Sequence, residues 1–354
     1  MSADTPSRKR DHIRICLEED VGFEEKTTWL EYVELVHNAL PEIDFEEVST
    51  EATFLGRRFG MPLIVEAMTG GIREAAEING NLAEAAEKFS IPMGVGSQRA
   101  ALADKGLEYT YRVARERGPN VFLIANLSGL QLVQEGVEAA ERAVEMIEAD
   151  AIAIHLNALQ ELIQPEGSTS FRGILNAIGE AVEKLDVPVI VKEIGCGISA
   201  EVAKSLKALG VRAIDVAGAG GTCWAKIEMM RARGVNREKE ELARTFLEWG
   251  IPTAASIIEV SSIVGIEVIA SGGIRTGLDV AKALSIGAEM AGMAYPLLKP
   301  AANSAEEVVE FLSRIRNELR AAMFLTGCRD VEALKKSQHV LLGPLIEWVR
   351  QRLR

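Results

Sequence analysis

From residue 62 onward, short apolar runs alternate with stretches whose apolar positions repeat every three or four residues. The runs are Pro62 to Ala67, Pro92 to Val95, Val121 to Ala125, Ala151 to His155, Pro188 to Lys192, Arg212 to Val216, Glu267 to Ser271 and Met290 to Ala294. They are apolar on both faces, as parallel strands covered on both sides must be. Between them, Ile72 to Phe89, Val133 to Ile147, Ile174 to Leu185, Ala200 to Leu209 and Gly277 to Ile286 carry helical periodicity. Eight strands alternating with helices predict an α/β chain folded as a closed TIM (β/α)8 barrel. An open doubly wound sheet shows the same alternation, and counting strands alone leaves it standing.

The polar positions favour the barrel. Small, polar or charged residues follow nearly every run: Met68-Thr69-Gly70-Gly71, Gly96-Ser97-Gln98-Arg99, Asn126, His155 with Asn157 and Gln160, Lys192-Glu193, Gly218 to Thr222, and Gly272-Gly273. A barrel gathers these positions on one rim, the C-terminal face where active sites are built. One interval is long. Between Val216 and Glu267 the chain inserts Gly220 to Trp224, a charged helical stretch Arg237 to Trp249, and a crossover helix Thr253 to Val264. Such an excursion reads as a wall or lid of the site. Residues 1–60 form an N-terminal segment contributing to that site. Residues 304–354 read as a helical tail outside the barrel, so 1–354 is a single barrel domain with two appendages.

Composition narrows the function. Against 39 Lys and Arg stand 52 Asp and Glu, a net charge of −13, which argues against a general nucleic-acid binder. No apolar run approaches the roughly 18–20 residues of a membrane span, and Met1 to Asp11 has no apolar core of a secretory signal. A cytoplasmic enzyme is the expectation. Cys16, Cys196, Cys223 and Cys328 lie far apart, and His12, His37, His155 and His339 lack zinc-ligand spacing.

Candidate chemistry lies on the expected rim. Ser271-Gly272-Gly273-Ile274-Arg275-Thr276-Gly277, with Gly292-Met293-Ala294 after the next run, places glycine-rich loops where such barrels hold phosphate. A helix N-terminus and Arg275 would add positive charge there; the alternative is a tight turn without a ligand. His155-Leu156-Asn157-Ala158-Leu159-Gln160-Glu161 puts four hydrogen-bonding side chains in seven residues, and Glu161 can serve Mg2+, which takes one or two carboxylates plus phosphate oxygens. Lys192, ending a Val-Ile-Val run, is costly to bury without an anionic partner; a flavin's N1/C2 region is one such partner. Arg8-Lys9-Arg10-Asp11-His12 is either a solvated tail or, with Arg99, the local positive charge a diphosphate needs. Trp224 and Glu228 share a helix face at four-residue spacing, unless the one is core and the other solvated.

Taken together, these motifs resemble the type 2 isopentenyl diphosphate isomerases, flavoenzymes on this barrel. The basic N-terminus, His155-Leu156-Asn157 with Gln160-Glu161, and Gly220-Gly221-Thr222-Cys223-Trp224 carry the resemblance; the glycine motifs are shared with many flavin barrels. The resemblance implies FMN at the barrel mouth, its ring met by Ala67, Met68, Thr69, Gly70, Ser97, Asn126, Lys192 and Thr222. Its phosphate would lie against Gly272, Gly273, Ile274, Arg275, Met293 and Ala294. The substrate diphosphate would meet Arg8, Lys9, His12, Ser97, Gln98, Arg99, His155 and Asn157, with Mg2+ on Glu161. Gln160, His155, Trp224 and Glu228 would surround the reacting carbons. The family often has Ser where this chain has Ala67 and Ala217. The implied reaction shifts a double bond without net redox change, reduced FMN acting as acid–base catalyst and NADPH only priming it. A homo-oligomer, tetramer or octamer, is expected. An FMN-dependent 2-hydroxy acid oxidase is the main alternative, but no Asn-His-Gly…Arg-Gln run occurs late in the chain. Further rivals are a nucleotide dehydrogenase using Cys223 as nucleophile and a non-catalytic phosphate-binding barrel.

Overall fold

A computed structural model of the chain describes residues 5–353. Eight parallel strands close into a barrel: β1 (Leu63–Val65), β2 (Met93–Gly94), β3 (Leu123–Ser128), β4 (Ala151–His155), β5 (Val189–Lys192), β6 (Ala213–Asp215), β7 (Glu267–Ala270) and β8 (Met290–Met293). The hydrogen-bonded order runs β7-β8-β1-β2-β3-β4-β5-β6, and β6 pairs with β7 to complete the ring. The open sheet is thereby excluded. Each strand coincides with one of the apolar runs, because its side chains are buried on both faces, toward the barrel interior and toward the surrounding helices.

Two expectations about the flanking elements are corrected. The periodic stretch Val133 to Ile147 is not one helix: Gly129–Glu135 and Val137–Ile147 are separated by Gly136, at φ 77° and ψ −177°. Only glycine reaches that backbone conformation without strain, so the periodicity runs through a break it does not reveal. The tail is also not purely helical. His339–Leu341 forms an antiparallel ribbon with Val33–Leu35 of the N-terminal segment. Trp348 stacks edge-on against Trp29 and donates to Glu259 at 2.7 Å.

The N-terminal segment closes both ends of the barrel. Its hairpin, Ala52–Phe54 with Arg57–Phe59, covers the floor: Phe54 is fully buried, Leu55 N–H donates to Glu267, and Arg57 pairs with Asp150 at 3.0 Å. Its first helix, Thr5–Glu18, lies over the opposite mouth. The connecting strand of chain crosses the 220–223 loop, with Cys223 N–H donating to Val21 and Phe23 N–H to Gly221.

Candidate active site

The C-terminal ends of the strands open into a cavity of about 240 Å3. Strand register explains its polarity. Ser128 lies beside His155, His155 beside Lys192, and Lys192 beside Asp215, so four consecutive strands end in a row of polar side chains. The residues sit where each strand leaves the core, which is why apolar runs terminate in chemistry.

One side of the cavity is cationic. The Thr5–Glu18 helix points Arg8, Lys9 and His12 inward, and the loop after β2 adds Arg99. Burial and then the neighbouring Arg8 push the Lys9 ammonium down to about 8. His155 is held neutral, at about 3, by burial and by the charges of Lys192, Lys9 and Arg8. Its Nδ1 lies 2.7 Å from Asn126 Oδ1, which places the ring proton on that nitrogen. Arg8 Nε is buried without a hydrogen-bond partner, and its nearest carboxylate, Glu166, is 3.7 Å from Nη1. Such an assembly of uncompensated cations is built for an anion.

The helix is fastened by a carboxylate beneath it. Glu228, fully buried on helix Trp224–Ala232, accepts from His12 Nε2 at 3.0 Å, Gln160 Nε2 at 2.8 Å and Arg231 Nη1 at 2.6 Å. Burial opposes its ionisation, yet His12, Arg231 and Gln160 more than offset this and hold it at about 2. Burial keeps His12 below its ordinary value, so Arg231 is the lasting counter-charge. The His12 ring also meets Trp224 edge-on, centroids 5.2 Å apart. Gln160 is held by two donor–acceptor contacts, since Asn157 Nδ2 also donates to its Oε1 at 3.1 Å. Glu161 accepts from Asn157 at 3.1 Å and from Ser168 N–H at 2.8 Å.

The other arc holds the glycine loops. Gly272 and Gly273 have φ of 94° and 81°, and a Cβ on Gly272 would lie 2.2 Å from the Gly218 carbonyl oxygen. These glycines are therefore required by the close approach of two loops, whatever binds above them. Among the described residues Arg275 forms no ion pair with a carboxylate; it donates to Ile274 O at 3.1 Å and stacks on Tyr295. The N-terminus of helix Gly277–Ser285, expected to face a phosphate, is closed by its own capping box. Asp279 accepts from Arg275 N–H and Thr276 N–H at 3.0 and 2.9 Å. The backbone N–H groups of Gly272, Gly273 and Ile274 and the Arg275 side chain remain.

The FMN-dependent dehydrogenase family model matches residues 1–159 and 174–341. An isopentenyl-diphosphate delta-isomerase of Archaeoglobus fulgidus is 49% identical over 346 residues, covering 98% of each chain. One of Ignicoccus hospitalis is 47% identical over 352 residues, covering 99% of this chain and 97% of its own. The chain belongs to the type 2, FMN-dependent isopentenyl-diphosphate isomerase family. In fold it is similar to a mandelate oxidase solved with an FMN adduct (TM-score 0.64, 22% identity, 96% of this chain and 99% of that one). A lactate oxidase of Pediococcus acidilactici is alike in fold too (TM-score 0.66, 16% identity, 91% and 88%).

In this member of the isomerase family, most residues read from the sequence share one cavity. Arg8, Lys9, His12, Ala67, Met68, Thr69, Ser97, Arg99, Asn126, His155, Asn157, Gln160, Glu161, Lys192, Thr222, Trp224, Gly272, Gly273, Arg275 and Ala294 all line the cavity. Gly70, Gln98, Glu228, Ile274 and Met293 stand behind it. Gln98, expected at the diphosphate, is fully buried: its Nε2 donates to Ala143 O at 2.8 Å and its Oε1 accepts from Asn126 N–H at 2.9 Å. Gly70 packs on the Tyr111 ring, while Ile274 and Met293 belong to the core. Cys223 is buried with its thiol on Leu247 O, which removes it as an exposed nucleophile. Lys192 finds its anionic partners within the chain, Asp215 at 3.0 Å and Glu66 at 3.6 Å. Glu66, Asp215, Glu166 and Arg231 were not singled out in the sequence. Glu66 and Asp215 carried a signal, a charged residue inside an apolar run.

Proposed function

We propose that the protein converts isopentenyl diphosphate to dimethylallyl diphosphate without net redox change, using reduced FMN, in isoprenoid biosynthesis. One observation carries the reading: a single cavity has two separate anion-binding ends. Arg8, Lys9, Arg99 and His155 form one, after β2 and β4 and under the first helix; Arg275 with the free 272–274 amides forms the other, after β7. A cofactor phosphate and a substrate diphosphate require two such places.

The residues fit FMN. Arg275 is a buried guanidinium that forms no ion pair among the described residues, with Asp279 acting on it only from a distance, and Thr69 Oγ1 is a buried hydroxyl without a partner among the described residues. When bound, reduced FMN supplies the proton donor and acceptor for the carbon chemistry. The chain does the rest. Arg8, Lys9, Arg99 and neutral His155 hold the diphosphate, with Ser97, Asn157 and His12 beside them. Gln160, fixed between Glu228 and Asn157, orients the alkene end, and Trp224 covers it. The docked helix excludes water from a carbon that gains cationic character during proton transfer. Ala67 and Ala217, lacking hydroxyls, offer backbone and van der Waals contact only.

The finer parts of the reading are Mg2+ on Glu161, NADPH as priming reductant, a cytoplasmic location and a tetramer or octamer. Among the described residues no group of three or more His, Cys, Asp or Glu side chains is placed for a metal. Mg2+ at Glu161 would therefore draw its other ligands from the diphosphate and water. No helix of the described residues is long and apolar enough to cross a membrane. The oxidase alternative lacks its base: the one imidazole after Lys192 is His339, in the terminal ribbon.

Anaerobic incubation with FMN, dithionite, Mg2+ and isopentenyl diphosphate tests the reading. Dimethylallyl diphosphate should form while the flavin stays reduced. No conversion, with oxidation of a 2-hydroxy acid by the oxidised holoprotein instead, would overturn it.

A further inference from the structure

Glu66, directly after β1, is a buried carboxyl beside a second buried carboxyl and one ammonium. Lys192 Nζ lies 3.6 Å from Glu66 Oε2 and 3.0 Å from Asp215 Oδ2, and it donates to Glu193 O at 3.0 Å. Asp215 Oδ1 accepts from Ser271 Oγ at 2.6 Å and Ala217 N–H at 3.2 Å. Its Oδ2 is paired with the Lys192 ammonium at 3.0 Å and accepts no other hydrogen bond among the described residues. That oxygen has a lone pair left for a second donor. Glu66 also hydrogen-bonds the Asp215 carboxyl, which two carboxyls can do only when one keeps its proton; Asp215, already served by Ser271, Ala217 and Lys192, is the better placed to be ionised. β8 leaves room for it: a Cβ on Gly292 would fall 2.4 Å from Glu66 Oε1.

The charges around Glu66 are few. β5 brings Lys192 and, just after it, Glu193; β6 brings Asp215; β4 brings His155, which is neutral; β7 and β8 bring only Ser271 and Gly292. With both carboxyls ionised, the Glu66–Lys192–Asp215 trio would carry a net negative charge in a wall shielded from water. With one proton retained it is neutral.

We propose that Glu66 is a positioning residue of the cofactor site, donating its carboxylic proton to Asp215 Oδ2 so that the Lys192 ammonium keeps a single counter-charge. The inference rests on the reading that reduced FMN works in this cavity. A flavin gains negative charge on reduction; the neutral trio leaves Lys192 able to balance it. Loss of the Glu66 proton to solvent adds one buried negative charge and favours the oxidised form. Burial, and then Asp215, push the Glu66 carboxyl up to about 8, with Lys192 pulling the other way.

Two measurements test this. The midpoint potential of bound FMN is followed across the neutral to alkaline range in the wild-type holoprotein and in Glu66→Gln. In the wild type the preference for reduced over oxidised flavin should fall about tenfold, ~30 mV for a two-electron couple, through a midpoint near 8. Glu66→Gln should lack that step. Identical pH dependence in the two proteins overturns the proposal. The second measurement needs no flavin: infrared spectra with isotope-labelled glutamate, wild type minus Glu66→Gln, because buried Glu193 is also raised, to about 7, and would contribute its own band. A glutamic acid carbonyl band should appear in that difference at neutral pH and be lost on the same alkaline titration; its absence from the difference at neutral pH overturns the proposal. A wild type that binds no FMN would refute the flavin reading, and the infrared band would still decide the protonation of Glu66.

Discussion

Removing the Glu228 carboxylate should loosen the first helix and Gln160 together. Glu228→Ala deletes three contacts at one buried point: the 2.6 Å bond to Arg231, the 2.8 Å bond from Gln160 and the 3.0 Å bond from His12. The bond to a charged partner contributes about 1.5–3 kcal/mol and each of the others about 1 kcal/mol. Arg231 keeps Glu166 at 2.9 Å, so its charge is not stranded and part of the loss is recovered. The expected destabilisation is about 3 kcal/mol for Glu228→Ala. Glu228→Gln should lose about half that, because its amide oxygen can still accept from Gln160 or His12. Urea denaturation of the flavin-free protein measures both. Because Gln160 then loses its second anchor, turnover of the reduced holoprotein should fall about tenfold to a hundredfold. A Glu228→Ala protein within about 0.5 kcal/mol of wild type, with unchanged turnover, would refute the reasoning.

Three further outcomes follow from the geometry. Gln98→Leu strands the Asn126 N–H and the Ala143 carbonyl, so thermal denaturation should show a loss of about 2–4 kcal/mol, while titration calorimetry finds diphosphate affinity unchanged. Arg275→Ala should weaken FMN binding, read by flavin fluorescence, about tenfold to a hundredfold; affinity of the flavin-free protein for isopentenyl diphosphate should not move. Because burial and Arg8 bring Lys9 down to about 8, its charge is present below that pH and lost above it. Substrate affinity should decline on the alkaline side, and Lys9→Met should flatten that decline in the same calorimetric titration.

The barrel was legible because its strands face apolar surroundings twice over, so Val189 to Val191 or Ile152 to Ile154 can hardly be anything else. The rim was legible for a related reason: polar residues appear where each run ends. What escaped depended on contacts distant along the chain. Nothing near Lys192 announces that Asp215 and Glu66 will meet it, and the anchoring of Gln160 depends on Glu228 from another insertion. Gln98 misled because it lies between Ser97 and Arg99, which do line the cavity; it is the N-cap of the short helix Arg99–Ala103, and from that turn its side chain runs into the core. The Gly272-Gly273 pair overstated its case as a phosphate cradle, since the Gly218 loop already demands it. Gly136 hid a helix break because one glycine does not disturb a hydrophobic period.

The ribbon between Val33–Leu35 and His339–Leu341 has a consequence for biosynthesis. The segment that leads the Arg8–Lys9–His12 helix toward the barrel is clasped by residues translated only after every barrel strand. While the ribosome is still extending the polypeptide, the early cations have no finished seat, and every barrel strand emerges before the clasp can shut. A product truncated ahead of residue 339 would carry all eight barrel strands but not the ribbon that holds Val33–Leu35.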